Sequence, residues 1–200
     1  MITRIIPWMT DGSVHFIESF LRKRNNNLNI LEFGSGASTL YFSTRCKSLL
    51  TFEHDFQWAD AIRKTASALS MNNLTLLCRD APYNGCILDE IENYNIKKFE
   101  IISIDGINRV ECLEECVSSN LLTDDGILVL DNTERIYYYG KPYEKYLEIL
   151  ENDYYLINFE QTTEYDVTGW RPPHKWITSV AFKKSNANLV NQLQEKGKNL

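Results

Sequence analysis

Several features that would define a specialised protein are missing from this chain. No apolar run approaches the ~20 residues of a membrane span. The N-terminal stretch MITRIIPWMTDG lacks the roughly 7–15-residue apolar core of a secretory signal. The expectation is a cytoplasmic protein with no membrane partner. Positive charge is also in deficit: 21 Lys and Arg stand against 27 Asp and Glu, for a net charge of −6. The electrostatic footprint of a nucleic-acid binder is therefore absent. The clusters Arg22-Lys23-Arg24 and Lys183-Lys184 read as solvated ends of elements. The five cysteines contain no Cys-x-x-Cys pair, and Cys112 and Cys116 have no nearby His to complete a zinc set. They read as small buried side chains in a reducing compartment. No Walker lysine, internal repeat or linker stretch is present. What remains, 200 residues with 44% hydrophobic and 24% charged, has the composition of one globular domain with a full core.

The pattern along the chain alternates. Asp11 or Ser13 can cap a first helix carrying Val14, Ile17 and Leu21 at helical spacing. Strand-like runs follow at Leu28–Phe33, Ser48–Glu53, Leu74–Cys78, Glu100–Asp105 and Gly126–Asp131. Helical patterns separate them, starting near Ser38, over Trp58–Leu69 and over Val110–Val117, while Asp80–Asn95 reads as loop because of Pro82 and Asn84-Gly85. A helix over Tyr143–Leu150 precedes two last strands, Tyr154–Phe159 and Trp176–Phe182, and the tail after Lys184 is polar. Alternating strands and helices with near-continuous apolar strands predict an α/β protein. Its sheet is mostly parallel with helices on both faces, and the last two strands pair antiparallel at an edge.

Ligands of such sheets bind outside the carboxyl ends of the strands. Four of those ends carry acid, Glu32, Glu53, Asp105 and Asp131, and Asp80 lies just past a fifth. After the first strand comes Gly34-Ser35-Gly36, which permits a tight turn and close backbone approach to a ligand. A dinucleotide fingerprint needs Gly or Ala where this chain has Thr39, which argues against a pyrophosphate site. Glu53, ending the second strand, can accept both hydroxyls of a ribose. The bland alternative is a surface acid in Glu53-His54-Asp55.

Taken in order, Glu32-Phe33-Gly34-Ser35-Gly36, Thr51-Phe52-Glu53-His54-Asp55, Ile102-Ser103-Ile104-Asp105-Gly106 and Leu128-Val129-Leu130-Asp131-Asn132 resemble the class I S-adenosylmethionine-dependent methyltransferases. The resemblance covers about residues 28–182 and bears on cofactor and fold rather than on substrate. It implies a Rossmann-like sheet of seven strands with the last inserted antiparallel. It also implies S-adenosylmethionine lying across Gly34–Gly36, with Glu32, Ser35 and Thr39 in the same loop set. Glu53 would hold the ribose, His54 would flank the adenine, Asp80 would contact it, and Asp105 would lie near the methionine portion and the acceptor. Residues 1–27 would form an N-terminal helical lid through Trp8-Met9-Thr10, residues 28–184 the cofactor domain, and residues 185–200 a polar tail.

A looser resemblance, to catechol and caffeoyl-CoA O-methyltransferases, implies a divalent cation on Asp105, Asp131 and Asn132. All three are hard oxygen ligands suited to Mg²⁺. Those enzymes carry a lysine base three residues after the first acid; this chain has Asn108 there, then Arg109. The acceptor proton is then lost by metal-activated deprotonation, or to a base, for which the candidates are Asp105, Glu134 and His174 in the loop before the last strand. Tyr137, Tyr138 and Tyr139 suit an aromatic or sugar acceptor wall, and Arg109 and Arg135 can hold an acceptor carboxylate or phosphate. The expected activity is methyl transfer to a hydroxyl of a small-molecule acceptor, with a homodimer as an open possibility. The competing reading is a non-catalytic cofactor-binding module; a nucleotide- or NAD-using enzyme is weaker.

Overall fold

Strands buried on both faces need apolar side chains at odd and even positions alike, and the runs of Leu, Ile, Val and Phe supply them. The computed structural model describes residues 5–80, 86–94, 96–134, 137–138, 141–142, 144–163 and 174–186. In chain order these form α1 (Asp11–Lys23), β1 (Asn29–Phe33), α2 (Ala37–Ser43), β2 (Ser48–Glu53), α3 (Phe56–Ala68), β3 (Leu74–Cys78), α4 (Cys86–Asn93), β4 (Phe99–Ile104), α5 (Arg109–Ser118) and β5 (Leu122–Asp131). Two short strands follow, β6 (Tyr137–Tyr138) and β7 (Lys141–Pro142), then α6 (Glu144–Leu150), β8 (Tyr154–Thr163) and β9 (His174–Lys183). Seven strands make one sheet in the order β3-β2-β1-β4-β5-β9-β8, and β6 and β7 pair separately. The first five are parallel. β9 enters between β5 and β8 and runs antiparallel to both, which is the fold expected from the sequence.

The two-residue period of the strands sorts the core into layers. Leu31, Phe33, Leu50, Phe52, Ile102, Ile104, Leu128 and Leu130 share one cluster with α4, α5 and α6. Their neighbours Ile30, Leu49, Ile101, Ile127 and Val129 pack with α1 and α2 in the other. Ile17, Phe20 and Leu21 of α1 belong to that second cluster. Each such side chain, removed from water, stabilises the fold by about 1.5–3 kcal/mol. The helix in the segment expected as a lid is thus packed into the core of the sheet.

Some local expectations change. The cap of α1 is Thr10, not Asp11 or Ser13; the Ser13 hydroxyl donates back to the Thr10 carbonyl at 2.7 Å. The stretch read as loop contains α4, because Ile87 and Ile91, one helical turn apart, seat themselves in the core. Cys78, Cys112 and Cys116 are buried, and burial pushes their thiols up, as small core side chains should behave. Residues 164–173, including Gly169 and Pro172-Pro173, and the tail after Asn186 lie outside the described residues, as do Arg135 and Tyr139. Among the described residues no helix is long and apolar enough to cross a membrane.

Candidate active site

Strand order reverses at β1: the chain goes outward through β2 and β3, then returns to place β4 on the other side. A crevice forms at that switch point. Gly34 closes it with φ of +90°, and a Cβ there would stand 2.6 Å from the Gly106 backbone nitrogen. Only glycine satisfies both demands. The Gly34 N–H donates to the Phe52 carbonyl at 2.8 Å, and the Asp105 N–H to that of Phe33 at 2.9 Å. The loops after β1 and β4 therefore meet backbone to backbone. Gly106, quoted in the sequence motif without a role, is the other half of this contact. At Gly36, by contrast, φ is 174° and an added Cβ would meet nothing, so the fold itself does not require glycine there.

Beside this contact lies a cleft of about 350 Å³, in the range of small-molecule sites. Its walls are Gly34 and Ser35, then Glu53, His54 and Asp55 after β2, Trp58 on α3, and Asp105, Gly106 and Ile107 after β4. Glu53 is 3% exposed. Its Oε2 accepts from the Ser35 N–H and hydroxyl, both at 2.8 Å. Its Oε1 accepts from the backbone N–H groups of His54 (2.8 Å) and Asp55 (3.0 Å), and His54 Nδ1 stands 2.9 Å away. The carboxylate is thereby locked to the glycine loop. Trp58 was read only as part of an apolar helix face, yet its indole N–H donates to the Ser35 carbonyl at 2.6 Å and braces that loop. Its place in the first turn of α3, capped by Asp55, was the available signal.

Other expected residues lie elsewhere. Glu32 is fully buried and is not among the residues lining the cleft. It accepts hydroxyl hydrogens from Ser38 and Thr39, both at 2.6 Å, and from Thr51 at 2.9 Å. Burial above all pushes its carboxyl up to about 7. Thr39 in turn accepts the Gly36 N–H at 2.8 Å, so Glu32 and Thr39 shape the loop from beneath. Asp80 is exposed just past β3 and is not among the residues lining the cleft; the N–H of its neighbour Arg79 donates to the Glu53 carbonyl at 2.9 Å. Glu134 accepts the Ile177 N–H at 3.0 Å and so is held against β9. His174 begins β9, and its side chain lies outside the described residues.

The ends of β4 and β5 are organised by Arg109. Its guanidinium, 5% exposed, donates to the Asp105 carboxylate (2.8 Å) and carbonyl (2.9 Å), the Gly106 carbonyl (2.8 Å), the Asp131 carbonyl and Asn132 Oδ1 (3.4 Å). Arg109 therefore faces protein oxygens and is not presented to an acceptor as expected. The Asp131 carboxylate accepts the Thr178 hydroxyl at 2.6 Å and the Trp176 indole N–H at 3.1 Å. Burial, and then the charge of Asp105, pushes Asp131 up. Two of the expected cation ligands, the Asp105 carboxylate and Asn132 Oδ1, thus face an arginine, which a divalent ion would repel, and the third, the Asp131 carboxylate, is taken up by Thr178 and Trp176. They do not fit a metal. Among the described residues, no group of three or more His, Cys, Asp or Glu could hold one.

No protein-family model and no curated protein sequence matches the chain. Solved structures do. A precorrin-6y C5,15-methyltransferase from Geobacter metallireducens shares 19% identity, with 92% of this chain and 93% of that one covered and a TM-score of 0.58. An O-methyltransferase from Bacillus cereus in complex with SAH shares 18%, with 86% and 81% covered and a TM-score of 0.60. An rRNA methylase from Streptococcus thermophilus shares 14%, with 92% and 98% covered and a TM-score of 0.58. The fold of this chain is that of the class I methyltransferases. At these identities the likeness defines the fold, and acceptors differ among the neighbours.

Proposed function

We propose that the cleft binds S-adenosylmethionine and that the chain transfers its methyl group to a hydroxyl of a small-molecule acceptor. The observation that carries this reading is the placement of Glu53. It is a buried carboxylate at the cleft wall, fixed by backbone and Ser35 donors, facing a Gly34–Gly106 contact with no side chains to obstruct a ligand. A ribose hydroxyl reaching Glu53 Oε2 would replace the Ser35 hydroxyl there. His54 and Trp58 would flank the adenosine from the β2 side, with Asp80 at the far rim, and Asp105 would lie toward the methionine portion. The SAH complex of the Bacillus cereus neighbour supports the cofactor assignment.

Methyl transfer is in-line displacement at a sulfonium carbon, so the chain's main task is alignment, worth up to about 7–11 kcal/mol. A neutral hydroxyl must also lose its proton. Of the candidates Asp105, Glu134 and His174, Asp105 lines the cleft and is our choice for contact with the reacting groups. No step is assigned to a divalent cation. The acidic net charge favours a small molecule over nucleic acid; a cytoplasmic location and a homodimer are compatible with this reading.

Incubation with S-adenosylmethionine and a panel of catechols, phenols, sugars and amines, with S-adenosylhomocysteine followed by mass spectrometry, tests the activity. Release dependent on a hydroxyl acceptor is expected. Release with amines alone would redirect the acceptor class. Cofactor binding with no turnover on any acceptor would mark a cofactor-binding module instead.

A further inference from the structure

The loops after β4 and β5 converge on one guanidinium. Arg109 is the first residue of α5, and Asn108 before it adopts φ of 50°, a left-handed turn that sends the next side chain back beneath the strand ends. There it meets five oxygens: two from Asp105, one each from Gly106 and Asp131 as carbonyls, and Oδ1 of Asn132. A carboxylate, an amide and three carbonyls are a hard-oxygen set of the kind that surrounds Ca²⁺ or Mg²⁺. Here they surround a group that stays charged throughout the pH range of folded proteins and cannot dissociate. Its planar fork also matches oxygens spread over two loops, which a point charge would not.

We infer that Arg109 is the resident cation of this site: it fills the place a divalent metal would take, ties the β4 and β5 loops together and holds Asp105 at the cleft wall. The electrostatics of the site are then set by the chain and not by metal supply. Arg109 acts through Asp105 and is a positioning residue. For the reaction, this rests on the methyltransferase reading; for the cation itself, it rests on the five contacts alone.

The test is a titration with Mn²⁺, followed by electron paramagnetic resonance, with no cofactor present. The wild-type protein and Arg109→Lys should bind no Mn²⁺ at this site at millimolar concentrations. Arg109→Ala, checked for folding by circular dichroism, should gain one EDTA-reversible Mn²⁺, and Asn132→Ala added to it should weaken that binding at least tenfold. A purely structural arginine would leave no such gain. Mn²⁺ bound by wild type and lost in Asn132→Ala, or a folded Arg109→Ala that stays silent, would overturn the inference. Should Arg109→Ala not fold, Arg109→Gln takes its place under the same criteria, a gained Mn²⁺ supporting the inference and silence overturning it, and Mn²⁺ held at Asn132 in wild type or Arg109→Lys contradicts it in either case. A failure of S-adenosylmethionine to bind is seen in a separate measurement and leaves these outcomes readable.

Discussion

The two halves of the site differ in what holds the acid at the cleft wall. On the β1–β2 side, Glu32 and Glu53 are surrounded by neutral donors: hydroxyls of Ser38, Thr39 and Thr51 for the one, backbone N–H groups and the Ser35 hydroxyl for the other. On the β4–β5 side, the wall acid Asp105 is paired with a guanidinium that also takes the Asp131 carbonyl, while the Asp131 carboxylate behind it keeps neutral donors, Thr178 and Trp176. Neutral donors can be exchanged for the hydroxyls of a ligand, so the first half can open to a ribose. A buried cation cannot be exchanged without leaving its anionic partner uncompensated, which is costly. The first half is built to bind, and the second to hold a wall in place.

Gly34→Val should break the first half most severely. The side chain would meet the Gly106 backbone at a position with φ of +90°. Strain and overpacking together should cost about 3 kcal/mol or more, read by denaturant unfolding, with cofactor binding lost. Wild-type stability would refute the close contact.

Next in size is the pH dependence carried by Glu32. Its carboxyl is raised in the fold, so its contribution to stability is fully present below the unfolded value of 4.5 and is lost as pH rises through about 7. The span corresponds to about 3 kcal/mol. Glu32→Gln should flatten the stability curve between these limits, measured by urea midpoints across pH. An unchanged slope would mean that hydroxyl donors offset the burial entirely.

Glu53→Ala removes the proposed ribose acceptor. Two hydrogen bonds to a charged group, one of them offset by the Ser35 hydroxyl it displaces, predict a loss of about 1.5–3 kcal/mol, or roughly 10- to 100-fold in S-adenosylmethionine affinity, with the fold retained. Equal affinity would move the ribose elsewhere. The smallest effect is expected from Trp58→Phe, which keeps an aromatic ring, though a smaller one, and deletes the donor to Ser35. Calorimetry should show about 1 kcal/mol of weakened binding; a loss as large as that of Glu53→Ala would make Trp58 a principal contact and not a brace.

Strands β1, β2, β4 and β5 were legible because each carries an apolar run that ends in acid or meets glycine, and β2 and β3 lie where the pattern puts them. α4 was not, since the turn residues Pro82 and Asn84-Gly85 outweigh two isoleucines in so short a segment. The division of labour between Glu32 and Glu53 needed the register. Glu32 pairs with Thr51, so Glu53 stands two residues, roughly 7 Å, further toward the cleft. Both acids end apolar strands, and spacing within one strand cannot reveal that offset. Asp105, Asp131 and Asn132 lie at the ends of the neighbouring strands β4 and β5. What gathers them is Arg109, and a sequence that shows an arginine one residue into a helix does not say which way its side chain turns.

The most direct measurement is calorimetric titration of the wild-type protein with S-adenosylmethionine and, separately, with NAD. The account predicts saturable micromolar binding of S-adenosylmethionine, the same with Mg²⁺ or EDTA present, and none of NAD. Binding of NAD, or of neither molecule, would contradict it.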